Sequence, residues 1–287
     1  QALDAAKMAT EDPAAQEQML RDVLRLTSEM DLASTPPAMG QQIHRRLREL
    51  TGNLDPYADV KKTFNRMAME MLPDLRDRVL AAENPFAAAV RLAITGNIID
   101  FGPKAHTTEK DALEAIANAL SDPLYGDTDT FQACCEEAER ILYLADNAGE
   151  IVFDRLLIEQ LPMDRVTLGV RGHPVINDAT VEDARMAGLT NMVEVIENGS
   201  DAPGTILSDC SVAFQQRFAA ADVIISKGQG NYETLSDEPA NICFLFKAKC
   251  PVIAAHAGVP LGAQVLTSNA STSREPARGC AGTKQDD

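Results

Sequence analysis

The sequence is 287 residues long and carries 43 Asp and Glu against 26 Lys and Arg, a formal net charge of -17. Such a surface repels polyanions, so no nucleic-acid partner held through its phosphates is expected, and no anionic membrane surface. Hydrophobic residues make up 45% and charged residues 24%, an ordinary globular mixture. With no run of about 18 apolar residues and no basic-then-apolar leader in the sequence, the expected compartment is the cytoplasm.

From the start to about residue 138, apolar residues recur at helical spacing, as in Met19, Val23, Leu26 and Met30 and again in Phe64, Met67, Met71 and Leu75. An all-helical domain is expected over 1–138. Asp12-Pro13, Asn84-Pro85 and Asp122-Pro123 read as helix starts, a capping side chain followed by proline in the first turn. Within this half, Gly96-Asn97-Ile98-Ile99-Asp100-Phe101-Gly102 sets an Asn and an Asp three apart, on one helix face, in an otherwise apolar stretch. Asn97 and Asp100 either cap a helix end or close over a site from the helical side.

Near residue 140 the period changes. Short apolar runs at Ile141 to Ala145, Val166 to Val170, Met192 to Ile196, Val223 to Ile225 and Ile242 to Phe246 alternate with helical patterns. This predicts an α/β, Rossmann-like domain over 139–266, a mostly parallel sheet with helices on both faces. Residues 267–287 are small, polar and charged, and read as a disordered tail.

In open parallel sheets, ligands bind beyond the carboxyl ends of the strands, so the loops at those ends are where chemistry is expected. The first strand runs into Asp146-Asn147-Ala148-Gly149-Glu150, and the second into Arg171-Gly172-His173-Pro174 and Asn177-Asp178-Ala179-Thr180. Asp146, Asn147 and Asp178 offer two carboxylates and an amide carbonyl, a set suited to a hard divalent cation. Each pair alone also reads as a helix cap or a turn; both at strand ends favours a metal. The fourth strand leads into Ser226-Lys227-Gly228-Gln229-Gly230-Asn231-Tyr232-Glu233. There Lys227, Gly228, Gly230 and Asn231 can cradle a phosphate, or form a tight turn. Arg171 is a second candidate cation, or a surface ion-pair residue. Asp222 lies at the start of its strand, about 16 Å from the lysine loop if extended, and is left out of the site. No Walker A loop, full dinucleotide fingerprint, zinc-type Cys/His spacing or nucleophile elbow is present. A nicotinamide-dependent oxidoreductase and a serine hydrolase are disfavoured accordingly.

These four motifs, in this order, resemble the family of unknown function 89, the damage-control phosphatase family, and most nearly its prokaryotic branch. The resemblance runs from near residue 1 to about Leu266. It implies a metal-dependent phosphatase with a helical N-terminal region and a Rossmann-like C-terminal domain. By that resemblance Asp146, Asn147 and Asp178 are the metal ligands, Lys227 contacts the substrate phosphate, and Asn97 and Asp100 form the helical side of the pocket. The Cys-x-x-Cys stretch common in that branch, just upstream of where this chain begins, is not in the sequence.

The expected activity is therefore hydrolysis of phosphate monoesters of small metabolites, such as sugar phosphates or phosphorylated cofactor precursors, with one divalent ion (Mg²⁺, Mn²⁺, Co²⁺ or Ni²⁺) activating a water. Lys227 would neutralise the equatorial oxygens, and Asp178 or Asp100 would orient the water or take its proton. The alternative is a non-catalytic Rossmann-like sensor that binds a nucleotide or phosphorylated metabolite.

Overall fold

The structure is a computed structural model that describes residues 2–31, 33–96, 116 and 118–269. Among the described residues the elements begin with α1 (Ala2–Ala9), α2 (Pro13–Glu29), α3 (Pro36–Thr51), α4 (Ala58–Ala81) and α5 (Pro85–Thr95). From residue 124 on there follow β1 (Leu124–Tyr125), α6 (Thr128–Glu137), β2 (Ile141–Leu144), α7 (Glu150–Ile158), β3 (Val166–Val170), α8 (Val181–Met186), β4 (Glu194–Glu197) and α9 (Val212–Ala220). The chain continues with β5 (Val223–Lys227), α10 (Gln229–Leu235), β6 (Ile242–Lys247), α11 (Pro251–Ala257) and β7 (Gln264–Asn269). Among the described residues no helix is long and apolar enough to cross a membrane.

Two of the expected helix starts hold, each through its cap. Asp12 accepts from the amide of Ala14 and Asn84 from that of Ala87. The third does not. Leu124-Tyr125 pairs with β7 in the sheet, and α6 begins later, where the Asp127 carboxylate accepts from the amides of Asp129 and Thr130.

The seven strands run in the order β1-β7-β6-β5-β2-β3-β4. Every neighbouring pair is parallel except β6 and β7. From β2 the chain moves outward to β3 and β4, returns, and moves the other way through β5 and β6. The order therefore reverses between β2 and β5, which opens a crevice at their carboxyl ends. Strand β7, between β1 and β6, runs on to Asn269, past the limit at 266 expected of the α/β region, and β1 brings residues from the expected all-helical stretch into the sheet. The rest of the expected tail, 270–287, lies outside the described residues.

Apolar side chains cover both sheet faces. One layer joins Leu72, Leu75, Val90, Ile94 and Phe153 to Tyr143, Leu168 and Ile225, so α4 and α5 pack with α7 on the same core. The other sets Phe214, Tyr232, Leu235 and Ile253 beneath Leu144, Ile224 and Phe244. A small third cluster, built on Ala5, Ala6, Met19 and Leu47, holds α1, α2 and α3 together. Charge fastens α3 to the body: Gln41, Arg45 and Arg48 donate to Asp201, and Arg45 also to Asp209.

Candidate active site

The loops at the carboxyl ends of β2, β3 and β5 line the crevice. Asp146 stands two residues beyond β2, and Gly228 directly after β5. A Cβ on Gly228 would lie 1.8 Å from Asp146 Oδ2, and its φ of 78° is strained for any other residue. The room that this glycine leaves, expected for a phosphate, is taken by the Asp146 carboxylate. Gly230 makes a different close approach, to the carbonyl of Pro203, 2.8 Å from its would-be Cβ.

The loops after β2 and β3 are tied edge to edge. Asn147 and Asp178 form an isolated antiparallel bridge. The Ala148 amide donates to the Asn177 carbonyl at 2.8 Å, and that of Ala179 to the Asp146 carbonyl at 2.8 Å. Asp178 closes a turn by donating its amide to the Val175 carbonyl, as the turn reading expects. That turn keeps Ile176 at φ 44°, a left-handed backbone unusual for a β-branched residue. Asp146-Asn147 does not cap the next helix, because the N-cap of α7 is Gly149. The Asn147 side-chain amide instead donates to Asp146 Oδ2 at 2.7 Å and Glu150 Oε2 at 3.1 Å.

Arg171, expected to face a phosphate or lie on the surface, is 2% exposed. Its Nε donates to Asp178 Oδ2 at 2.6 Å, Nη1 to Thr205 Oγ1 and Nη2 to Asn231 Oδ1, each at 3.1 Å. Nη2 lies 3.9 Å from Asp146 Oδ1. One guanidinium therefore stands between the two carboxylates. Asn231 is buried as well. Its amide donates to the carbonyls of Ala145 and Lys227, which joins the ends of β2 and β5.

Lys227 differs most from expectation. β5 runs two residues further than the apolar run, which makes Lys227 its last strand residue and turns the side chain to the α5–α7 face. The ammonium is fully buried. It donates to the carbonyl of Ala93 at 2.8 Å, to Glu150 Oε1 at 2.8 Å and to Asp154. All three N–H bonds thus point at protein groups, and Tyr143 donates to the same Asp154 at 2.9 Å. Asn97 and Asp100 lie outside the described residues.

Burial raises the Asp146 carboxyl well above the usual range, and the negative charges of Glu150 and Asp178 add to that, with Arg171 and Lys249 acting against it. Burial also raises Asp178, opposed by its bond to Arg171. Two carboxylates with the Asn147 amide form an all-oxygen donor set that fits a hard divalent cation. Among the described residues no three His, Cys, Asp or Glu side chains form a metal-holding group, so that set depends on the amide as its third member.

Sequence reasoning overlooked several groups. Glu150 and Asp154 sit four apart on α7, an acidic pair inside the apolar run Ile151, Val152, Phe153, Leu156, which is itself a signal. Lys249 lies just past β6 at the same sheet edge, is exposed, and makes its charge felt at Asp146; strand-end reasoning applied to that strand finds it. Asn65 carries no such signal. Beside the crevice, a cavity of about 450 Å³ between α3 and the site loops is lined by Ile43, His44, Ile176, Pro203 and Gly230.

Residues 1–265 match the model of the Damage-control phosphatase ARMT1-like domain. The chain belongs to the damage-control phosphatase family. Among its relatives, a damage-control phosphatase of Pyrococcus horikoshii is 38% identical over 270 residues, covering 92% of each chain. One of Archaeoglobus fulgidus is 35% identical over 268 residues, covering 91% of this chain and 92% of its own. An uncharacterized protein of Methanocaldococcus jannaschii is 36% identical over 280 residues, with 93% and 91% covered. The crystal structure of a DUF89 family protein from P. horikoshii superposes with a TM-score of 0.84 at 37% identity, covering 93% of this chain and 94% of that one. The damage-control phosphatase names of two of these relatives support a phosphatase role here, and the solved neighbour shares the α/β architecture.

Proposed function

We propose that the protein hydrolyses phosphate monoesters of small metabolites with the help of one divalent cation held by Asp146, Asn147 and Asp178. The observation that carries this reading is the convergence of two buried carboxylates and an amide at the β2/β5 crevice with a single guanidinium between them. The ion, when bound, supplies a Lewis acid for the phosphoryl group and a more acidic water.

The protein's own groups have distinct tasks. Arg171 holds Asp178 in orientation from beneath, and its charge limits the repulsion between Asp178 and Asp146. Lys249, exposed at the rim, attracts the anionic substrate in a molecule of net charge -17. The cavity lined by Ile176 and Gly230 receives the organic part of the ester, since both residues lie two positions from site residues, within about 8 Å along the chain. Asp178 orients the attacking water and Lys227 keeps the floor of the site in place.

The test is turnover of a panel of phosphate esters with added Mg²⁺, Mn²⁺, Co²⁺ or Ni²⁺. Metal-dependent release of phosphate is expected from the native protein and none above background from Asp146→Ala. Full metal-dependent activity in that variant would overturn the assignment.

A further inference from the structure

One buried side chain of the helical half reaches both loops that carry the candidate ligands. Asn65, on α4, is 0% exposed. Its Oδ1 accepts from the Gly149 amide at 2.7 Å, and its Nδ2 donates to Asp183 Oδ1 at 2.7 Å. Gly149 ends the loop begun by Asp146-Asn147 and is the N-cap of α7. Asp183 closes the loop begun by Asp178: its other oxygen accepts from the amide and the hydroxyl of Thr180, two residues past Asp178. Asn65 is thus a strut between the first turns of two helices whose preceding loops supply the metal set.

The chemistry at the two ends explains the residue type. One end meets an N–H and needs an acceptor; the other meets a carboxylate and needs a donor. A primary amide offers both, an oxygen that accepts and a nitrogen that donates. Asp would set an acceptor against the Asp183 carboxylate, and Leu would leave a buried amide and a buried carboxylate oxygen each short of a partner. Neighbouring groups fix the strut in place. Phe64 packs against Gly149, 3.1 Å from where a Cβ would stand. Lys61, also on α4, lies 2.8 Å from Asp55 and 3.8 Å from Asp183.

Resting on the metal reading above, we infer that Asn65 is a positioning residue that sets the spacing of the Asp146-Asn147 and Asp178 loops, so that metal affinity and coordination geometry depend on the helical half although it supplies none of the three ligands. Loss of an outer hydrogen-bond partner typically weakens metal binding by about 10- to 100-fold, and that is the size of effect expected here.

The experiment is titration of the chelator-treated protein with Co²⁺ alone, read by the ligand-field absorption of the ion and by calorimetry. Asn65→Asp is expected to weaken Co²⁺ binding by about 10-fold or more and to alter the absorption band. The double variant Asn65→Asp/Asp183→Asn exchanges donor and acceptor across the same contact and is expected to restore both. It also covers the case in which the single variant fails to fold. Absence of Co²⁺ binding by the native protein would refute the metal reading itself. Native-like affinity and spectrum in Asn65→Asp, or a folded double variant that binds Co²⁺ no better than the single one, would overturn the role of Asn65.

Discussion

Two buried cations at the carboxyl edge of the sheet, Arg171 and Lys227, each stand between two carboxylates, yet their surroundings differ. Around Lys227 the set is closed: Glu150 and Asp154 are as buried as the lysine, and every N–H of the ammonium has a protein acceptor. Around Arg171 the set is looser. Only Asp178 is held at 2.6 Å, Asp146 stands off at 3.9 Å, and two contacts go to the neutral Thr205 and Asn231. The Lys227 set ties α5 and α7 to β5, while the looser one contains the two carboxylates proposed to hold the cation.

The sharpest way to break that comparison is to remove the lysine. Lys227→Met leaves Glu150 and Asp154 buried without their cation, and such half-pairs are destabilising by about 3 to 5 kcal/mol. Denaturant unfolding of chelator-treated protein at neutral pH measures it. A loss below about 1 kcal/mol, the scale of an exposed pair, would mean that the cluster is not what secures α5 and α7.

A second, somewhat smaller effect comes from the surplus acid in that cluster. Burial raises the Asp154 carboxyl from 3.8 to about 6; Lys227 opposes the rise and Glu150 adds to it. The Lys227 ammonium, against the burial that disfavours its charge, is held above its usual range by Asp154 and Glu150. For Asp154 the folded state keeps a proton that the unfolded chain has already lost between those two values. Its contribution to stability is therefore largest below pH 3.8 and declines as pH rises toward 6, by about 3 kcal/mol in all. In Asp154→Asn that decline should vanish, so the stability difference between native protein and variant should shrink across the window and then level off. A difference that is flat with pH would show that the surplus charge is relieved elsewhere.

These clusters also mark where sequence reasoning succeeds and where it stops. The loops after β2 and β3 are legible because a strand end is a local signal: an apolar run, then Asp, Asn and Gly. Lys227 is legible as a residue but not in its direction, since two more strand residues carry it inside, and that extension is set by pairing with β6 across Lys227 and Leu245. β1 reads as a helix start for the same reason. Leu124 and Tyr125 form a strand only because Gln264 and Val265 lie beside them, about 140 residues away, and local propensity yields to such contacts. The parallel sheet, its two covered faces and its helical preface come from periodicity alone. Asn65 needs coordinates, because a single polar residue on a helix reveals nothing about two loops more than 80 residues further on.

The smallest expected change sharpens the contrast from the other side. Arg171→Lys keeps a positive charge beside Asp178 but gives up the planar fork that also reaches Thr205 and Asn231. Neither of those partners is orphaned, because Thr205 Oγ1 still donates to Asn231 Oδ1 at 2.8 Å and the Asn231 amide keeps both of its carbonyls. Losing hydrogen bonds without stranding a buried group costs about 1 to 2 kcal/mol, well short of the Lys227→Met effect. The same denaturant series without metal measures it. Equal losses for the two variants would erase the distinction between a closed cluster that holds the fold and an open one proposed to hold a ligand, because Arg171 would then be as indispensable to packing as Lys227.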